Sequence, residues 1–411
     1  MAVIGSSGTN PPLIPHQLIT TTRAFTVPFK VKAVVHVFGG GGGGACGGTA
    51  DGNTMPAATG GGAGAHAASI LELSPGVTYT ATCGPGGLKA LKYGAGTGSD
   101  DLGPGSAGTD SSFSGSGITT ITAKAGGAGQ ASFFSNTGTN GTLAGGLGGT
   151  VNGSAGTLLV LAGGAGGSIA KPVNSVVTNN TSSATGGGSV GIISTGFRGG
   201  NIIGQENANV SNATGGGGTG GNGGDMPAGQ SFQRRVTAGG GVLGGSGPPS
   251  NSGGVANIRG SANMFSPSYF QQLTFGLTQA RTYGGSLAAY GATGMGTLFE
   301  TLNHRQISFE VDSQPPGIGG SGNYYYKIGT QPDYARMTTA TLFAGGGADG
   351  TYGAGNQAGN DDTSYVGAKA GGLCGGGGGA GSNPYSSSST KTAGGEGGHG
   401  AVYIEMLERI L

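Results

Sequence analysis

The chain has no tryptophan, and charged residues make up only 9% of its 411 positions, with a formal net charge of +1. An ordinary domain is about 25% charged. Near-neutrality removes the electrostatic footprint that nucleic acid or an anionic membrane surface would require, so neither is expected as a partner. No apolar run approaches the roughly 18 residues of a spanning helix, and no membrane insertion is expected. The opening Met1-Ala2-Val3-Ile4-Gly5 lacks a basic region leading into an apolar core, so it does not read as a signal peptide. The cysteines, Cys46, Cys83 and Cys374, are odd in number and show no CxxC spacing. They read as free thiols of a chain folded in a reducing cytosol. Each abuts glycine, which suits a small apolar residue at a structural junction. His16, His36, His66, His304 and His399 are scattered without ligand spacing. No metal and no cofactor are expected.

What the chain has is glycine, 100 residues of it. Glycine loses more backbone freedom on ordering than any other residue, on the order of 1–2 kcal/mol each. Disorder would need low hydrophobicity and high net charge, yet 35% of residues are hydrophobic and mean hydropathy is −0.06. Collagen would need glycine at every third position, and residues 39–44 and 261–283 break that period.

Strand patterns stand at both ends. Residues 1–24 read as extended, because Pro11, Pro12 and Pro15 block helix. In residues 30–38, Val31, Ala33, Val35 and Val37 alternate with Lys30, Lys32, Val34 and His36, a period-2 strand with one dry face. Residues 66–83 read as a hairpin around Ser74-Pro75-Gly76-Val77, a type II turn with proline second and glycine third. Residues 401–407 form a last strand, with Val402, Ile404 and Met406 on one face.

Between them lie Gly-Gly-X runs such as Gly145-Gly146-Leu147-Gly148-Gly149-Thr150 and Gly394-Gly395-Glu396-Gly397-Gly398-His399. Three residues are one turn of polyproline II helix, which makes no internal hydrogen bonds. Such a run has two bare edges and one decorated edge. Its outward N–H and C=O groups need partners, and neighbouring runs can supply them at a net of about 0.5–1.5 kcal/mol per bond. A polyglycine II bundle is therefore expected in preference to irregular loops.

Residues 262–343 hold almost half of the phenylalanines and tyrosines but a minority of the glycines. They read as a small aromatic-rich subdomain, with a short helix opened by a capping box at Thr297-Leu298-Phe299-Glu300 and a strand through Ile307, Phe309 and Val311. Tyr324, Tyr325 and Tyr326, with Lys327 and Tyr334, are the candidate binding residues, since tyrosine offers a stiff amphipathic contact surface. The competing reading, that they form the subdomain's core or a subunit interface, stays open. Other motifs carry little. Gly187-Gly188-Ser189-Val190-Gly191 matches G-x-S-x-G but has no helix-forming sequence after it. No Gly-Lys-Ser/Thr occurs, Arg198-Gly199-Gly200 is a single RGG triplet, and Asp100-Asp101 and Asp361-Asp362 read as solvated turns. No catalytic residue is assigned.

Phe25-Thr26-Val27-Pro28 followed by Val34-Val35-His36-Val37-Phe38-Gly39-Gly40-Gly41 resembles the opening of the glycine-rich domain of bacteriophage tail fibre proteins. Ser74-Pro75-Gly76-Val77-Thr78-Tyr79-Thr80 with Gly84-Pro85-Gly86-Gly87 looks like its central hairpin, and Gly108-Thr109-Asp110-Ser111-Ser112-Phe113-Ser114 like its next strand. The stretch from Gly394 through His399 to Glu405 looks like its ending. The likeness covers roughly 25–130 and 365–407; residues 131–364 are not matched closely. A weaker likeness is to tail fibre tip adhesins. The resemblance implies a non-enzymatic virion protein, assembled in the host cytoplasm and used in host attachment. Its partners would be other tail proteins and a bacterial surface receptor, protein or polysaccharide. Fibre proteins are often trimeric, although no heptad pattern here demands it.

The expected fold is thus mainly β and irregular: a sandwich-like strand base, a polyglycine II bundle and a small inserted subdomain. The expected divisions are a docking arm over 1–24, the first part of the glycine-rich domain over 25–130, an insertion over 131–261, the aromatic-rich subdomain over 262–343, and a closing part over 344–411. The expected function is a tail fibre or tail tip adhesin; the alternative is a structural virion component, such as a shaft, collar or capsid decoration, without receptor binding. An ice-binding protein or a glycan depolymerase fits less well, because the runs are short and no paired carboxylates stand out.

Overall fold

The computed structural model describes residues 16–49, 54–92, 102–135, 141–171, 182–191, 194–203, 211–218, 221–226, 375–379 and 391–410. It also describes the short pieces 234–236, 298–299, 306–307, 323–325, 342–344, 359–362, 365–367 and 381–383. Among these residues every regular element is a β-strand, and the strands form several sheets, many of their pairs antiparallel.

Two sheets form a base. The first runs β1 (His16–Ile19), β27 (Ala401–Arg409), β3 (Val31–Phe38), β6 (His66–Leu73), β13 (Leu159–Leu161), antiparallel throughout. The second runs β10 (Ile121–Ala123), β9 (Ser111–Gly115), β7 (Thr78–Thr82), β2 (Arg23–Thr26), also antiparallel. They share one core. Val31, Ala33, Val35 and Val37 of β3 and Val402 and Ile404 of β27 meet Tyr79, Phe113 and Ile121. The dry faces of β3 and β27 are those the alternation predicts. The Tyr79 and Phe113 rings stack with centroids 5.9 Å apart, and Phe25 tilts against both. Full burial of each large side chain contributes about 1.5–3 kcal/mol.

The turn at Ser74–Val77 forms as expected, with Gly76 at φ 76° and the Val77 N–H donating to the Ser74 carbonyl. The strands beside it do not form the expected hairpin. β6 pairs with β3 and β13, whereas β7 pairs with β2 and β9. The turn hands the chain from one sheet to the other. That arrangement brings Leu73 and Tyr79 into the common core, and the Tyr79 hydroxyl accepts the Ser74 N–H at 2.7 Å. Turn chemistry dictates a reversal; apolar burial decides which sheet each arm joins.

A second set of sheets lies at the other ends of the glycine runs. One is β11 (Ala131–Ser135), β5 (Thr54–Ala58), β15 (Ser182–Ala184), β17 (Ser211–Ala213), β18 (Arg234–Val236), parallel from β5 onward. Another is β12 (Gly141–Leu143), β14 (Ile169–Lys171), β16 (Ile202–Ile203). A third is β21 (Asn323–Tyr325), β22 (Leu342–Ala344), β25 (Gly381–Asn383), β4 (Cys46–Thr49). A fourth is β23 (Gly359–Asp362), β24 (Tyr365–Gly367), β26 (Lys391–Ala393), β8 (Leu91–Lys92). Met55, Phe134, Ile169, Ile202 and Met226 make a second small core here. Finally, β19 (Leu298–Phe299) pairs with β20 (Gln306–Ile307). The capping-box residues Leu298 and Phe299 are therefore strand, not helix. No apolar face of helical period follows Glu300, so a local cap has nothing to propagate.

Glycine segments join the two sets. Residues 39–45 lead from β3 to β4, residues 59–65 return from β5 to β6, and residues 394–400 return from β26 to β27. The segment 39–45 shows how they pack. Its N–H groups point in turn to three neighbours and repeat every third residue. Gly39 and Gly42 donate to Ala65 and Gly62, Gly40 and Gly43 to Thr109 and Ser106, and Gly41 and Gly44 to Gly398 and Gly395, at 2.7–3.0 Å. Its carbonyls serve three further neighbours. Gly126 and Gly129 donate to Gly40 and Gly43, Gly87 to Gly41, and Gly378 to Gly42. Six segments therefore surround 39–45. A Cβ built on Gly42 would fall inside the carbonyl of Gly127, and one on Gly44 inside that of Gly379. Residues 59–65 are enclosed in the same way by 39–45, 124–130, 144–150, 162–168, 185–191 and 375–379.

Candidate functional site

Two of the candidate binding residues lie within the second set of sheets. Tyr324 and Tyr325 sit on β21, in register with Phe343 and Leu342 of β22. β22 pairs with β25, and β25 runs parallel to β4, the strand entered from 39–45. The tyrosine strand is thus the edge of a sheet tied to the most enclosed glycine segment. Tyr326, Lys327 and Tyr334 lie outside the described residues, as does Cys374.

The junctions between these strands and the glycine segments are built from buried threonines. Thr59 Oγ1 accepts the Gln130 N–H at 2.8 Å and donates to the Ala144 carbonyl at 2.9 Å. Thr185 Oγ1 accepts the Gly60 N–H at 3.1 Å and donates to Gly167 at 2.7 Å. Thr214 Oγ1 accepts the Gly186 N–H at 3.3 Å and donates to Gly200 at 2.6 Å. All three side chains are fully buried. The ladder Ala58↔Ala184↔Ala213 holds them in parallel register. Each hydroxyl takes over where the strand ladder stops and the threefold pattern starts, so no buried backbone group is stranded at the change. The sequence reading missed these residues. Their signal is a repeat, Ala-Thr-Gly-Gly-Gly at 58–62, 184–188 and 213–217.

Two ion pairs link adjacent segments. Arg198 makes a bidentate pair with Asp225 at 2.6 and 2.7 Å, and Asp225 also accepts the Asn201 N–H at 2.8 Å. Lys124 pairs with Asp110 at 2.6 Å, and Asp110 accepts the Ala125 N–H. The arginine of the RGG triplet is therefore engaged within the fold. In 394–400 the glycines are buried while Glu396 and His399 are exposed.

The G-x-S-x-G match has no elbow geometry. Ser189 is buried, its hydroxyl lies 2.9 Å from the Gly218 carbonyl and 3.1 Å from that of Phe197, and it accepts the Phe197 N–H. Cys46 is buried at the start of β4, and Cys83 lies half-buried just past β7, where its thiol donates to the Ile19 carbonyl. Burial pushes the Cys83 thiol above its ordinary range, away from reactive thiolate. Among the described residues no cluster of His, Cys, Asp or Glu could hold a metal ion, and no helix is long and apolar enough to cross a membrane.

No protein-family model matches the chain, and no curated protein matches it.

Proposed function

We propose that the protein is a bacteriophage virion component, a tail fibre or tail tip adhesin, that presents receptor-binding surface on a rigid polyglycine scaffold. In this reading the glycine segments are polyglycine II helices packed as a bundle, and the two base sheets are a sandwich that anchors it. The observation that carries the reading is the enclosure of residues 39–45 by six other segments through a hydrogen-bond pattern that repeats every three residues. Three residues per turn is the polyproline II repeat, and at about 3.1 Å per residue a seven-residue segment spans roughly 22 Å. Because 39–45 leads away from the base and 59–65 and 394–400 lead back, the base strands and the tyrosine-bearing sheet stand at opposite ends of that span. A lattice held by backbone bonds on every side resists deformation, which suits an object that must transmit contact at its tip to an anchor at its root.

The base, with the arm over 1–24, is the side that docks to other tail proteins. The opposite end, with Tyr324 and Tyr325 on β21, is the side that meets a bacterial surface protein or polysaccharide, and Tyr326, Lys327 and Tyr334 are candidate contacts by sequence. Adsorption competition tests this. Purified protein at saturating concentration should bind susceptible cells and block adsorption of the phage that carries it. Absence of both cell binding and competition would leave a purely structural role.

A further inference from the structure

The first base sheet meets the glycine segment 185–191 through a pair of histidines that neither the strand pattern nor the proposed function accounts for. His66 opens β6 and is 3% exposed; His36 lies across from Ala68 on β3. His66 Nδ1 lies 3.1 Å from the Gly191 carbonyl, and His66 Nε2 lies 3.0 Å from His36 Nδ1. A carbonyl only accepts, so His66 must carry its proton on Nδ1. Its Nε2 is then a lone pair, and His36 Nδ1–H must donate to it. With both rings neutral the geometry allows one arrangement, the two in series: His36 Nδ1–H to His66 Nε2, and His66 Nδ1–H to the Gly191 oxygen. Phe38 stacks on His66 with centroids 4.3 Å apart and covers one face of that ring.

We propose that this histidine pair is an acid-sensitive latch that fastens segment 185–191 to the base sheet. One proton is tolerated, because His36 Nε2 takes no part in either bond. A second proton must go to His66 Nε2, where it would face the His36 N–H and break the series. The surroundings set the order. Burial lowers the His36 pKa, Glu405 on β27 offsets part of that lowering, and the Tyr403 ring lies 5.9 Å away. On β1, His16 stands in register with Glu405. On β13, Leu161 lies opposite His66, and segment 185–191 carries no ionisable side chain. Burial, and after it the neighbouring His36, lowers the His66 pKa to about 3, and the bond to the Gly191 carbonyl offsets only part of that.

The sign follows from linkage. The folded pKa lies below the ordinary histidine value of 6.5, so opened chain binds more protons than folded chain. The latch is fully engaged above about pH 6.5 and loses strength as pH falls toward about 3.

Nitrogen-15 NMR of the intact protein, combined with amide exchange, tests the proposal. At neutral pH both rings should show the Nδ1–H tautomer. Between pH 6 and pH 4 the protection factors of Ser189 and Gly196 should fall by up to about tenfold per pH unit, while those of Gly42 and Gly43 hold. His66→Phe, which keeps the stack on Phe38, should flatten that pH dependence. A proton on His66 Nε2 at neutral pH, protection that holds while His66 titrates, or an unchanged pH profile in His66→Phe would overturn the latch. Should His66→Phe not fold, the wild-type tautomer and titration decide alone.

Discussion

Segments 39–45 and 394–400 are adjacent, hydrogen-bonded to each other and similar in length, yet their sequences follow different rules. The first is glycine from 39 to 44; the second interrupts its glycines with Glu396 and His399. Segment 39–45 has a backbone on all six sides, whereas Glu396 and His399 are exposed. The comparison teaches that glycine content records the number of neighbours. In 39–44 every Cβ position is closed by another backbone, whereas Glu396 and His399 face open sides. Uninterrupted runs at 60–62, 186–188 and 375–379 fall in buried segments, and Gly-Gly-X runs lie at the periphery, where Leu147 is 72% exposed.

The comparison breaks most visibly if valine is placed on both kinds of position. Gly42→Val should cost more than about 4 kcal/mol, because a β-branched side chain would have to displace the Gly127 backbone. Glu396→Val should stay within about 0.5 kcal/mol. Chemical denaturation of both variants measures the difference, and equal losses would remove the neighbour rule. Thr185→Val keeps the shape but leaves the buried Gly60 N–H and Gly167 carbonyl without their partner. A loss of about 1–3 kcal/mol for each stranded group is expected, read from the unfolding midpoint. Asp225→Ala removes a pair about one-third exposed and also the acceptor of the Asn201 N–H, so about 1–2 kcal/mol should go, the ion-pair share shrinking in high salt. Leu147→Ser, on an open side, should leave the melting temperature within a degree or two. That result would sharpen the rule, because a large leucine there would be shown to contribute nothing to the scaffold.

Much of this was legible beforehand, and the reason is periodicity. Alternation in β3 and β27 picked out the buried face because a strand exposes every second residue to the core. The period of three in 394–399 likewise separated buried glycines from exposed side chains. What local pattern could not supply was the partner. Ser74-Pro75-Gly76-Val77 announces a turn but not that its arms join different sheets. The Thr297–Glu300 pattern announces a cap, yet Leu298 and Phe299 pair as strand with β20. Thr59, Thr185 and Thr214 act together only because β5, β15 and β17 stack in parallel, and that pairing is visible in the sequence only as a repeat spread over more than 150 residues. For the candidate binding residues, the sequence marked Tyr324 and Tyr325 by composition alone; their place on an edge strand depends on pairing with β22, which in turn pairs with β25 far along the chain.

The bonds from Gly41 to Gly398 and from Gly44 to Gly395 join the earliest glycine run to the last. During synthesis, residues 39–45 must therefore leave the ribosome with several of their eventual neighbours still untranslated. Such long-range closure makes for slow acquisition of structure, and the exposed backbone donors and acceptors wait meanwhile in water. Closure of the first base sheet should accordingly come late, when β27 enters between β1 and β3.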